Sequence, residues 1–289
     1  MGRLEGKNVL MQVSLDISHS LLYLTLHVKS LVQAHQLVLV KHVHASLQKK
    51  DPTWYIVAAR RVERLENLKK ELEAKYPSIK VTAIQLDMQD VQQIRSVIAQ
   101  LPPIDVLVNN AGMVLGRDPL AEVPEDAFDT MFNTNVKGLV FLTQSVIPSM
   151  KERQTGHIIN VGSIAGKQAY PGGSIYCATK HAVDAITTSL RFELVDTPIR
   201  VSQICPGLVN TEFSTVRFYG DKDKADSVYK GMQPLVAQDI DVQIDTNDVF
   251  STAAEIIVFT AGRPPHVNIA DSLVFPTAQA DATTVHRIA

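Results

Sequence analysis

The sequence predicts an α/β fold built on a doubly wound parallel sheet, and three observations carry that prediction. From Trp54 onward, short β-branched runs alternate with longer helical patterns. Several of the short runs are apolar throughout, as strands buried on both faces are. The longer stretches repeat their apolar residues at three- and four-residue spacing, so that one stripe of each can dock on a sheet.

Taken in order, Gly6–Leu10 begins a first strand. Tyr55–Ala59, Val81–Leu86, Val106–Asn109, His157–Val161, Arg200–Ile204 and Ser272–Phe275 continue the series. Helices are expected at Glu63–Lys75, Val91–Leu101, Pro124–Glu152, Ser174–Val195, Asp221–Lys230 and Ala254–Thr260. In the first of these, Leu65, Leu68 and Leu72 fall on one face while Glu63, Lys69 and Lys70 turn away. Val236–Ala253, with Asp239, Asp241, Asp245 and Asp248, reads as a loop or insert, and the chain after Pro276 as a tail that stays loose unless it docks.

With 289 residues and 45% hydrophobic content, the chain is read as one domain over 1–289. A formal charge of -2 gives no electrostatic reason to expect nucleic acid or an anionic membrane as a partner. Cys177 and Cys205 form neither a metal spacing nor a disulfide framework, which suits a reducing compartment, and a cytoplasmic location is expected. Met1–Lys7 has no apolar core of a signal peptide. The apolar run 21–43 is interrupted by Lys29, Lys41, His27, His35 and His42, too often for a membrane span.

The chemistry concentrates in Ser163 and in Tyr176-Cys177-Ala178-Thr179-Lys180. On a helix, Tyr176 and Lys180 are four positions apart and share a face, which brings an ammonium beside a phenol. A neighbouring positive charge favours the phenolate and lowers the pKa of a tyrosine, making Tyr176 a candidate proton-transfer group. Ser163, just past a strand, lies at the carboxyl edge where ligands sit in open α/β sheets. Alone, such a tyrosine and lysine are also compatible with an ordinary surface pair.

They are not alone. Asn109-Asn110-Ala111-Gly112 ends one strand, Asn133-Thr134-Asn135-Val136 lies within a long helical stretch, Gly162-Ser163 closes the next strand, and Pro206-Gly207 closes another. In this ordered set the chain resembles the short-chain dehydrogenase/reductase family, from about Ile56 to Thr211 and more loosely to Thr277. The strings Ala58-Ala59-Arg60-Arg61, Gly172-Gly173-Ser174-Ile175-Tyr176 and Leu273-Val274-Phe275-Pro276-Thr277 are most similar to fungal NADP-dependent enzymes of 3-hydroxy acids. The resemblance implies a Rossmann-like fold and hydride transfer between NADP and a small 3-hydroxy acid or related alcohol. It also implies Tyr176 as general acid/base and Lys180 as the group that lowers its pKa and binds the nicotinamide ribose. Ser163 would orient the substrate oxygen and Asn135 would support a proton relay; for Asn135 a satisfied helix-interior amide is the alternative.

For the cofactor, Arg60 and Arg61 stand where an NAD site places an acidic residue, and guanidinium matches the 2′-phosphate of NADP. The resemblance makes Asp87 the adenine contact and Asn109, Ala111 and Gly112 the adenosine-side wall. Pro206 and Gly207 would turn beneath the nicotinamide, with Val209 and Thr211 beside its carboxamide. Residues 208–232 would form a substrate lid in which Arg217 meets a substrate carboxylate. The family also implies a homotetramer formed through the helices at Pro124–Glu152 and Ser174–Val195.

One element of the pattern is absent. The family places a glycine-rich turn after the first strand, where backbone closely approaches the pyrophosphate. Here Met11-Gln12-Val13-Ser14-Leu15-Asp16 occupies that place, and no glycine occurs between Gly6 and Gly112. Residues 11–53 hold five of the nine histidines, His19, His27, His35, His42 and His44, without a supporting metal-ligand set, and no metal is expected. This segment reads as foreign to the family, as from a retained intron or a shifted frame, and 239–253 as a second insert. The alternative to an enzyme is therefore a cofactor-deficient relative acting through assembly.

Overall fold

The computed structural model describes residues 8–12, 54–75, 77, 80–236 and 252–288. Its first six strands are β1 (Asn8–Gln12), β2 (Trp54–Ala59), β3 (Lys80–Gln85), β4 (Val106–Asn109), β5 (His157–Val161) and β6 (Arg200–Pro206). A short ribbon, β7 (Val209–Asn210) with β8 (Leu235–Val236), precedes the last strand, β9 (Asp271–Val274). Seven strands form a parallel sheet in the order β3-β2-β1-β4-β5-β6-β9. The order reverses between β1 and β4, so a crevice is expected at the carboxyl ends there. This is the predicted doubly wound, Rossmann-like sheet. The residues that gave the strand runs their apolar character, Leu10, Ile56, Leu107, Ile158 and Val201, form its buried centre.

Helices α1 (Val62–Lys75) and α2 (Val91–Ala99) come after β2 and β3. The stripe of α1 is inside, with Leu65, Leu68 and Leu72 buried. The side chain of Asp90 caps α2 by accepting from the Gln93 amide. The stretch expected as one helix over Pro124–Glu152 is broken. It runs as α3 (Glu125–Phe132), a π-helical turn Asn133–Gly138, and α4 (Leu139–Glu152). A π turn inserts a residue into the helical repeat and rotates the helix beyond it, and such turns often occur at functional sites. Here it carries Asn135. At its end, Gly138 presses on the Met88 carbonyl so closely that a Cβ would lie 2.3 Å from that oxygen.

Helix α5 (Ser174–Glu193) packs beside β6. The expected lid contains α6 (Glu212–Arg217) and α7 (Lys222–Ser227), the latter shorter than predicted. Asp221 starts α7 by accepting from the Lys224 amide. The last helix is α8 (Thr252–Ala261). The tail after Pro276 docks: Gln279 is buried and accepts from the Leu208 amide at 2.7 Å, while the Ile288 amide donates to Gly231 O at 2.6 Å. Most of the histidine-rich 11–53 segment and of the 239–253 stretch lies outside the described residues. Among the described residues, no helix is long and apolar enough to cross a membrane.

Candidate active site

The carboxyl edges of β4, β5 and β6 converge with the first turns of α5. Ser163 leaves β5 in extended conformation and its Oγ accepts from the Ala165 amide at 3.1 Å, which starts the short turn Ile164–Gly166. Tyr176 and Lys180 share one face of α5, as their spacing predicts. Both are buried, at 8% and 6% exposure. The Ser163 hydroxyl is hydrogen-bonded to the Tyr176 oxygen. Lys180 Nζ donates to Val161 O at 2.9 Å and lies 6.0 Å from the centre of the Tyr176 ring. Phe213 from the lid meets that ring edge-on at 5.8 Å.

Asn135 is 1% exposed. Its Oδ1 accepts from the Met113 amide at 2.8 Å, and its Nδ2 donates to Met113 O at 2.8 Å and to Thr179 Oγ1 at 3.1 Å. Thr179 Oγ1 in turn donates to the Tyr176 carbonyl at 2.7 Å. One amide thus ties the π turn, the chain after β4 and the first turn of α5 together. Gly112 completes the corner, since a Cβ there would lie 3.5 Å from Asn135 Oδ1 and 3.6 Å from Lys180 Nζ. Both are ordinary van der Waals distances, so Gly112 packs directly beside the lysine.

The electrostatics differ from the sequence expectation. Burial, reinforced by Tyr170, pushes the Tyr176 phenol well up, and the Ser163 hydrogen bond and Arg217 offset only part of that. The expected lowering by Lys180 does not prevail, because the same burial lowers the lysine to about 8. Tyr176 therefore holds its proton at neutral pH, the form that can donate to a carbonyl oxygen.

The cleft in front of these groups encloses about 600 Å³, and Ser163, Tyr176 and Lys180 line it together with Pro206, Gly207 and Val209. A family model described as short chain dehydrogenase matches residues 41–220. The chain belongs to the short-chain dehydrogenase family. It is 46% identical over 236 residues to the NADP-dependent 3-hydroxy acid dehydrogenase of Schizosaccharomyces pombe, covering 80% of this chain and 86% of that one. The Escherichia coli (strain K12) protein of the same description is 40% identical over 238 residues, covering 80% and 89%. Among solved structures, the closed form of serine dehydrogenase complexed with NADP+ is 34% identical, covers 97% of this chain and 100% of its own, and has a TM-score of 0.75. The family match begins at residue 41, inside the segment read as foreign.

The other positions expected of a short-chain dehydrogenase divide into two groups. Gly112, Pro206, Gly207, Val209 and Thr211 line the cleft. Thr211 also caps α6, accepting from the Phe213 amide at 3.2 Å. Arg60 and Arg61 come directly after β2, and Asp87 after β3, all at the same edge of the sheet. Asp87 Oδ1 accepts from the Gln89 amide at 2.9 Å, which fixes the turn into α2. Ala111 packs against the core.

Two expected side chains are placed otherwise. Asn109 does not face the cleft. Its Nδ2 donates to Thr143 Oγ1 at 2.9 Å and to Asn160 Oδ1 at 2.8 Å, and Asn160 continues to Thr187 Oγ1 at 2.9 Å. A buried amide at a strand end takes the partners the neighbouring strand and helices offer. Arg217 lines the cleft, but its guanidinium is engaged by Gly116 O at 3.1 Å, Tyr170 Oη at 3.3 Å and Gly172 O at 3.5 Å. It clasps the lid to the loops after β4 and before α5, and is not an open carboxylate partner. The cleft also includes Arg117, Tyr170, Phe213 and Gln279, which sequence reasoning passed over. Their only sequence signal is proximity to glycines and to the lid.

Proposed function

We propose that this chain is an NADP-dependent dehydrogenase that interconverts a small 3-hydroxy acid and the corresponding 3-oxo acid. The observation that carries the reading is the meeting of Ser163, Tyr176 and Lys180 on the lining of one cleft, with buried Asn135 behind them and linked through Thr179 to the Tyr176 carbonyl. The substrate class rests on the curated relatives' descriptions and on a cleft lining that contains arginines and lysines but no acidic residue.

NADP fits this end of the cleft. Lys180 is a buried ammonium that lines the cleft beside Gly112, a suitable donor for ribose hydroxyls. Arg60 and Arg61, after β2, are the candidates for the 2′-phosphate. When bound, the nicotinamide accepts or supplies the hydride. Ser163 and Tyr176 hydrogen-bond the substrate oxygen and orient its carbon. In reduction, Tyr176 gives its proton to the oxygen as the hydride arrives at carbon. In oxidation the same tyrosine takes the hydroxyl proton, and Lys180 stabilises the phenolate that does so. Asn135 acts through position, holding the first turn of α5 against the π turn, and stands at the head of any water relay from Lys180. Pro206, Gly207, Val209 and Thr211 bound the nicotinamide side, and Asp87, Ala111 and Gly112 the adenosine side.

The chain works in the cytoplasm as a homotetramer formed through the helices at 125–152 and 174–193. Phe128, 40% exposed, and Phe192, 73% exposed, lie on these helices and are apolar surface that such an assembly would cover.

The test is turnover of 3-hydroxypropanoate with NADP+ and with NAD+. Reduction of NADP+ is expected, favoured over NAD+ by roughly 10- to 100-fold, the worth of charge-assisted hydrogen bonds to the extra phosphate. Absence of cofactor reduction across a panel of 3-hydroxy acids removes the reading.

A further inference from the structure

The cleft carries one sign of charge. Arg117, Lys180, Arg217, Lys224 and Arg287 line it, with no aspartate or glutamate, although the chain as a whole has a formal charge of -2. Four of these cations are already engaged. Lys180 belongs to the reacting pair, and Arg217 clasps the lid. Arg287 donates to Lys230 O at 2.5 Å and to Val228 O at 3.0 Å. Lys224 Nζ pairs with Asp221 Oδ2 at 3.2 Å. The Arg117 guanidinium makes no hydrogen bond or ion pair among the described residues.

Its stem, by contrast, is fixed. The Gly116 amide donates to Arg217 O at 2.8 Å while Arg217 Nε donates back to Gly116 O at 3.1 Å, so the residue before Arg117 is clamped to the lid from both sides. Gly116 has a left-handed φ of 69°, which turns the chain toward the cleft. On the far side, Gly172 packs against the Arg117 backbone and stem: a Cβ there would lie 2.7 Å from Arg117 O and 2.9 Å from its Cγ. Burial raises the Tyr170 phenol; Arg217 offsets part of that, and the charge of Arg117 adds a smaller effect in the same direction as Arg217. A side chain with a held stem and an unengaged planar fork, on a cleft whose lining has no acidic residue, is suited to a two-oxygen anion.

We propose that Arg117 is the residue that holds the carboxylate of the substrate and thereby selects 3-hydroxy acids over neutral alcohols. The inference rests on the dehydrogenase reading above and places its specificity on the loop after β4. The substrate's reacting end then meets Ser163 and Tyr176 while its charged end meets Arg117, which makes the acid group a second fixed point for orientation.

The experiment compares 3-hydroxypropanoate with the neutral 1,3-propanediol in wild type, Arg117→Ala and Arg117→Lys. Arg117→Ala is expected to raise KM for the acid roughly 10- to 100-fold and to lower the preference for acid over diol by the same factor. Arg117→Lys recovers part of it, because an ammonium keeps the charge but not the fork. An unchanged preference, or an equal loss on both substrates, overturns the assignment. If wild type turns over neither compound, the dehydrogenase reading has failed, and calorimetric titration of malonate into the protein without cofactor reads Arg117 by itself. Malonate binding to wild type that is lost in Arg117→Ala supports the anion site. Binding that persists in the variant, or is absent from wild type, refutes it.

Discussion

Replacing Tyr176 by phenylalanine is expected to lower kcat by about 10³-fold or more while moving the melting temperature by no more than about 2 °C. The two halves of that result have separate causes. The ring is held by packing, including the edge contact with Phe213, and phenylalanine keeps it. In the proposed reaction the hydroxyl is the proton donor, and phenylalanine removes it along with its hydrogen bond to Ser163. A variant retaining more than a tenth of the wild-type rate removes Tyr176 from the chemistry. The pH dependence has a definite sign as well. In the ligand-free protein Tyr176 is protonated at neutral pH, so reduction starts from the correct form. Oxidation needs the phenolate and is expected to accelerate toward alkaline pH until Lys180, near 8, loses its charge.

Asn135→Ala is expected to act on stability first. The amide is the partner of both the Met113 N–H and its C=O, and Met113 is 6% exposed. Two buried backbone groups left unpaired cost roughly 2–5 kcal/mol together, which corresponds to a fall in melting temperature of about 5–15 °C. Thr179 loses its donor at the same time, loosening the carbonyl of Tyr176 in the first turn of α5. Activity is therefore expected to fall along with stability, and differential scanning calorimetry beside steady-state kinetics separates the two. A variant with unchanged melting temperature and reduced rate assigns Asn135 to the chemistry; one with both unchanged denies it either role.

The sheet was legible because its strands are buried on both faces, which leaves Val106–Asn109 and His157–Val161 short β-branched and apolar runs broken only by Asn109, His157 and Asn160. The Tyr176–Lys180 pair was legible because helical spacing alone puts the two on one face. What escaped depended on contacts distant in sequence. No periodicity distinguishes an α turn from the π turn at Asn133–Gly138, which is stabilised through Asn135 by Met113, 22 positions away. Arg217 carries no local sign that Gly116, Tyr170 and Gly172 claim its guanidinium, and Arg117 carries none that its own is left open. The depressed pKa expected for Tyr176 failed for a related reason: residue spacing registers the neighbouring charge, while burial comes only with the assembled fold. The tail shows the same limit, since its order arises from Leu208, Gly231 and Gln168, all remote in sequence.

A single physical demand underlies the whole site. On the proposed reading Tyr176, Lys180 and Ser163 act only if a dinucleotide reaches them, yet the sequence after β1 offers no glycine before Gly112 for the close approach of backbone to pyrophosphate. Family membership and the cleft lined by Ser163, Tyr176 and Lys180 favour binding; the missing glycines weaken it. Titration of NADPH fluorescence with this chain tests the balance directly. Saturable binding with a Kd below about 100 μM, weakened in Lys180→Ala, is the predicted result. No saturation up to about 1 mM NADPH would contradict it and leave the intact Tyr176–Lys180 pair without a cofactor to serve.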